Sequence, residues 1–167
     1  MKSHNNSKVI FLCQTFESVE SMPQRHVILP VGSSIFMPII NWISVIGGKE
    51  KEEKDLKKLA KEMMDEVVKL HISLNGKPLP INLWNFRVQT PAFVIDLPNM
   101  NIFGVPKGKK LVLVDGFWIF FQPLVNNFSI ETFGACRSGK TRISVNYNLE
   151  IDKERTTSVT QQQNLIS

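Results

Sequence analysis

Gly134-Ala135-Cys136-Arg137-Ser138-Gly139-Lys140-Thr141, followed by Arg142-Ile143-Ser144-Val145-Asn146-Tyr147-Asn148-Leu149-Glu150-Ile151, supports two incompatible readings. The first eight residues fit the phosphate-loop pattern in full, with Gly134, Gly139, Lys140 and Thr141 in its fixed places. A phosphate loop needs a strand before it and a helix after it, because the helix N-terminus supplies the N–H groups and positive dipole end for the phosphates. Here apolar residues follow at every second place, 143, 145, 147, 149 and 151, which is the period of a half-buried strand and leaves no helical stripe. Phe128-Ser129-Ile130-Glu131-Thr132-Phe133 alternates in the same way on the other side. The motif therefore reads as the connection of a β-hairpin, and nucleotide binding through it is the least favoured of three functional readings.

Upstream, the same test yields more strands. Val9 to Phe16, Arg25 to Val31 and Ser34 to Val45 are apolar and rich in β-branched residues, the last interrupted by Pro38. Proline cannot donate to a sheet ladder, so that segment is an edge strand, a bulged strand or two strands with a bend. Further strands are expected at Leu70 to Leu74, turning at Asn75-Gly76 with a return over Leu79 to Ile81, and at Phe86 to Gln89 and Ala92 to Leu97. Lys110 to Val114 and Phe117 to Gln122 flank Asp115-Gly116, either a tight turn or a kink in one long strand. Only Lys51 to Leu70 has helical spacing, with Leu56, Leu59, Ala60, Met63, Val67 and Leu70 on one face and acids in its first turns. Many short strands with one inserted amphipathic helix predict a mainly β fold, an antiparallel, jelly-roll-like β-sandwich.

At 167 residues the chain is long enough for one domain with a real core. The expected layout is a frayed N-terminus over 1–7, a single domain over 8–151, and a disordered polar tail over 152–167. Hydrophobic content of 43% and charged content of 21% are ordinary globular values. No apolar run reaches the ~18 residues of a membrane-spanning helix. Lys8 to Cys13 is too short for the apolar region of a signal peptide, so the chain alone reads as cytoplasmic. The net charge is +5, but Lys49 to Lys69 holds seven lysines and seven acids, so the excess lies in two turns around Lys107 to Lys110 and Arg137 to Arg142. Nucleic-acid binding favours a denser stripe with interleaved aromatics, and solvated turns are the simpler reading.

Candidate chemistry is sparse. Cys13 and Cys136 are too few for a disulfide framework. His4, His26 and His71 show no metal-ligand spacing, so neither a metal nor a cofactor is expected. Asn41, Arg87, Gln89 and Asp115 are polar residues inside apolar segments, and buried polar groups need partners, so they are candidates for a buried network or the lining of a ligand pocket. Asp115 more simply fixes the backbone before Gly116. Trp42, Trp84 and Trp118 are candidates for an aromatic platform that stacks on sugars, or for core.

Several segments together resemble a group of uncharacterised, mostly secreted microbial β-rich proteins. Val31-Gly32-Ser33-Ser34-Ile35-Phe36-Met37-Pro38-Ile39-Ile40-Asn41 is similar to its F-x-P-I-I-N signature, Arg87-Val88-Gln89-Thr90-Pro91 to R-V-Q-[ST]-P, Asp115-Gly116-Phe117-Trp118 to D-G-[FY]-W, and Val145-Asn146-Tyr147-Asn148-Leu149 to V-x-Y-x-L. The resemblance implies a β-rich domain and an extracellular setting, and it brings no catalytic residues. The leading expectation is a non-catalytic binding or structural module, with the cell-surface setting that the resemblance implies and another protein or a glycan as partner. The alternative is a carbohydrate- or ester-directed hydrolase with a cleft near Asp115, using Arg87 or Asn41. The third reading is the nucleotide loop.

Overall fold

The computed structural model describes residues 8–15, 22–47, 52–122, 125–139 and 141–153. The expected frayed N-terminus and all but the first two residues of the expected tail lie outside them. Ten strands are described: β1 (Val9–Phe11), β2 (Gln24–Pro30), β3 (Ser34–Val45), β4 (Val67–Leu74), β5 (Lys77–Pro78), β6 (Arg87–Gln89), β7 (Phe93–Leu97), β8 (Gly108–Phe121), β9 (Phe128–Cys136) and β10 (Arg142–Asp152). One helix, α1 (Glu53–Asp65), joins β3 to β4.

The strands form two sheets. One runs β1-β3-β8-β6, with β7 also on β8, and the other runs β2-β10-β9-β4-β5. Their facing sides share one core, with Ile35, Met37 and Phe117 from the first sheet meeting Ile72, Ile130 and Val145 from the second. The expectation of purely antiparallel sheets is corrected: β1 pairs parallel with β3, and β2 parallel with β10. Apolar alternation is the same in either direction, so it carries no information about this. Direction follows from the path. The chain leaves β1 for β2 in the other layer and returns through Val31–Ser33 to β3, which must then run alongside β1.

Three sequence expectations resolve at particular residues. Pro38 sits at a register shift in β3, between Pro38 and Ile40. The flank-facing carbonyls next to it, those of Phe36 and Pro38, accept from Leu12 N–H at 3.0 Å and Gln14 Nε2 at 2.7 Å. The missing proline N–H thus falls on the side away from β8 and costs no ladder bond. Asp115-Gly116 is no turn, because β8 runs unbroken through both. The hairpin of β9 and β10 is present, pairing Arg142 with Ala135 through Leu149 with Phe128.

The helix is shorter than its stripe suggested, ending at Asp65 with Glu66 as its cap. Val67 and Leu70 fit a helical face, but the β-branched pair Val67-Val68 favours a strand, and both Val67 and Leu70 pair with β9. Glu66 O accepts from Arg137 N–H at 2.7 Å, which fixes the change of direction. The expected return strand at Leu79 to Ile81 is instead the two-residue β5 before it. The first strand also ends earlier than expected, at Phe11. Leu56 and Ala60 of α1 pack on Leu113 of β8, so the helix covers the end of the β8 face that the second sheet does not reach.

Candidate functional site

Four polar residues were expected to gather, and three do. Arg87 at the start of β6 forks onto Asp115 of β8, Nε to Oδ1 at 3.0 Å and Nη2 to Oδ2 at 2.9 Å. Gln89 Nε2 donates to the same Oδ2 at 3.1 Å. The other side of the guanidinium reaches α1, with Nη1 to Asp65 Oδ1 at 2.7 Å and Nη2 to Lys61 O at 3.1 Å. Hydrogen bonding to Asp115 pushes the Arg87 pKa further up, so the guanidinium is permanently charged. Hydrogen bonds from Lys61 and Arg87 hold the Asp65 carboxyl below its usual value. Asp115 is 1% exposed and both its oxygens are engaged. The arrangement anchors α1 to the sheet.

Asn41 stands apart from this network. It is in register with Gly116, whereas Asp115 is in register with Trp42. Neighbours along a strand point to opposite faces, so Asn41 lies on the far side of the sheet.

The three tryptophans do not form the expected platform either. Trp42 packs beside Leu56 and Leu113 under the helix. Trp84 stands on a short 3-10 helix, Leu83–Phe86, edge-on to Phe117 at 5.4 Å. Trp118 is on the opposite face of β8 from Phe117 and stacks on Phe36 at 5.2 Å and 8°. Phe11 meets Phe36 edge-on at 5.6 Å, so the aromatic row on this outer face is Phe11, Phe36 and Trp118.

That row borders a groove of about 540 Å³. Its position follows from two short strands. β1 covers β3 only from Ser34 to Phe36, and β2 covers β10 only from Asn146 to Asp152. Past those points, Asn41 to Ile43 of β3 and Arg142 to Val145 of β10 have no strand on this flank among the described residues. Among the described residues the mouth between the layers is therefore open, with Asn41, Trp42 and Ile43 on one wall and Thr141 and Ile143 on the other. Ile102 and Phe103 overhang it from the loop before β8. Asn101 Nδ2 pins that loop by donating to Val105 O at 2.7 Å and Pro98 O at 3.0 Å.

Leu12 to Thr15 close one end of the groove. Cys13 O accepts from Arg25 Nη1 at 2.7 Å and Tyr147 O–H at 2.6 Å. Gln14, 7% exposed, donates from Nε2 to Pro38 O at 2.7 Å and to Thr132 Oγ1 at 2.6 Å. Its Oε1, like Trp42 Nε1, is buried with no hydrogen-bond partner among the described residues. No charged side chain is among the described residues lining the groove.

The phosphate-loop lookalike is a strand-turn-strand. Gly134 lies inside β9, where a Cβ would fall 2.7 Å from Ile40 Cβ. Gly139 takes φ +69° in the turn, and Lys140 lies outside the described residues. After Thr141 comes β10, so no helix N-terminus faces the loop. No group of three or more His, Cys, Asp or Glu among the described residues could hold a metal ion.

Sequence reasoning placed Asn41, Trp42 and Trp118 among the candidates but missed Phe11, Gln14, Phe36 and Phe103. A polar Gln14 directly after an apolar run, and Ile102-Phe103 within a turn-rich loop, were the available signals. No helix among the described residues is long and apolar enough to cross a membrane.

No protein-family profile matches this chain, and no curated protein does. Among solved structures, "Structure of PbICP-C in complex with falcipain-2" is similar at 10% identity and a TM-score of 0.31, over 87% of this chain and 100% of that one. A likeness at that level carries no argument about this chain.

Proposed function

We propose that the protein is a non-catalytic binding module that holds an uncharged, largely apolar ligand in the groove on its open flank. The single observation that carries this reading is the groove itself. It combines aromatic walls with the uncharged polar residues Gln14, Asn41 and Thr141. Small-molecule sites are typically clefts of about 300–1,000 Å³, mostly apolar, with a few convergent polar groups. The segments similar to the microbial β-rich group support the same reading, with a cell-surface setting, because that group brings no catalytic residues.

The test is a screen of uncharged fragments against the isotope-labelled protein, read as amide shifts. Shifts are expected at Phe36, Ile43 and Phe103, and their loss in Trp118→Ala. Shifts confined to residues around Asp115 and Arg87, or turnover of a glycoside or ester probe, would overturn it.

A further inference from the structure

Resting on that reading, we infer that the ligand is an extended, uncharged peptide segment that adds to β3 as a strand. Three observations lead there. The first is the open edge. Ile46 N–H bonds inward to Leu111 O at 3.0 Å, so by alternation the N–H and C=O groups of Asn41, Ile43 and Val45 face the flank. Phe36 and Pro38, earlier on the same edge, have their carbonyls satisfied by Leu12 and Gln14. From Asn41 onward no strand takes up this edge among the described residues.

The second is the lack of protection. Exposed edges are normally blunted by lysine, inward-pointing charge or proline. From Ile39 to Ile46 the chain carries none of these. An edge lined with aromatics, unguarded and unpaired among the described residues, is a template for another strand.

The third is complementarity. The described lining carries no charge, which favours a segment with no charged side chains in its centre. The flank-facing N–H and C=O groups of Asn41, Ile43 and Val45 offer a row of donors and acceptors along this edge. A peptide repeats one donor and one acceptor at every residue, which a hydrocarbon does not. Alternate side chains of an added strand would enter the two walls, toward Trp118, Ile43 and Phe103 on one side and Thr141 and Ile143 on the other. A segment of about five or six residues, the usual length of a strand, fills such a site.

The experiment is a selection from displayed random nonapeptides on the full chain, followed by calorimetry with the synthesised winner. Enriched peptides should lack Asp, Glu, Lys and Arg in their central five positions. N-methylation at alternate residues should weaken binding about tenfold or more, and at the intervening residues should leave it unchanged. The bound peptide should also slow alkylation of the exposed groove thiol Cys13. Ile43→Lys should abolish binding, and Ile102→Lys, on a residue 68% exposed and remote from the core, should weaken it without loss of fold. Absence of enrichment, or a peptide indifferent to N-methylation and to Ile102→Lys, would overturn the inference. If uncharged fragments shift the groove amides while no peptide binds, the binding-module reading stands and strand addition falls. If neither binds, both fall.

Discussion

Gly116 has no room for a methyl group. A Cβ there would lie 2.5 Å from Asn41 Cβ and 2.8 Å from the Asn41 Cα and Ile40 O. Overpacking in a tight site typically costs ~1–3 kcal/mol, so Gly116→Ala should lower the unfolding free energy by that amount in urea. Gly134 is crowded by Ile40 from the facing layer, and the nearest atom is the Ile40 Cβ at 2.7 Å. Gly134→Ala should be destabilising, and Ile40→Ala, which keeps that Cβ, should leave most of the strain in place, so a double-mutant cycle should read only a small coupling. Arg87 and Asp115 call for the same kind of comparison. Arg87→Met leaves a carboxylate 1% exposed without its fork, and breaking such a pair costs ~3–5 kcal/mol. Removing both, in Arg87→Met with Asp115→Leu, should recover much of that loss if the pair is an anchor.

The helix is held by an apolar face and by that anchor. Leu56 is fully buried between α1 and β8, so Leu56→Ala should cost ~2–5 kcal/mol. The Asp65 end responds to pH. Its carboxyl is held below the usual value by Lys61 and Arg87, so its contribution is complete above the unfolded-state pKa and disappears as pH falls through the lower folded one. Asp65→Asn should therefore lower the melting temperature slightly at neutral pH and make no difference once the medium is acid enough to protonate the native carboxyl. Sequence patterns were informative about elements but not about their partners. Alternation from Ile143 to Ile151 marked β10, and Asn75-Gly76 marked the turn between β4 and β5. The stripe from Leu56 to Leu70 overran because the spacing of Val67 and Leu70 also suits a strand whose bonds go to β9. Nothing in an apolar alternation states strand direction, so the two parallel pairings were not legible.

The groove was hidden for a related reason: it exists only where five separated segments meet, near residues 11–15, 36–43, 102–103, 118 and 141–143. Each is locally unremarkable, and the gap comes from β1 and β2 both stopping short on the same flank. The two thiols report on the whole assembly. Cys13 is exposed, while Cys136 is 5% exposed and its pKa is raised by burial first and then by Glu66. A disulfide reagent should modify one thiol rapidly in the native protein and the second only at the rate of global unfolding. Two fast thiols would mean that the β9 end opens independently of the core.

The parallel partnership of β2 and β10 also sets a schedule for synthesis. Arg25 and Tyr147, which bond across it, are 122 residues apart. At ~5–20 residues per second, a ribosome needs on the order of ten seconds to make the second after the first. Until then the second sheet lacks β9 and β10, and the nascent β2 has nothing to pair with. Acquisition of the native state therefore waits until β10 has been made, and the chain before that point is the form most in need of a chaperone.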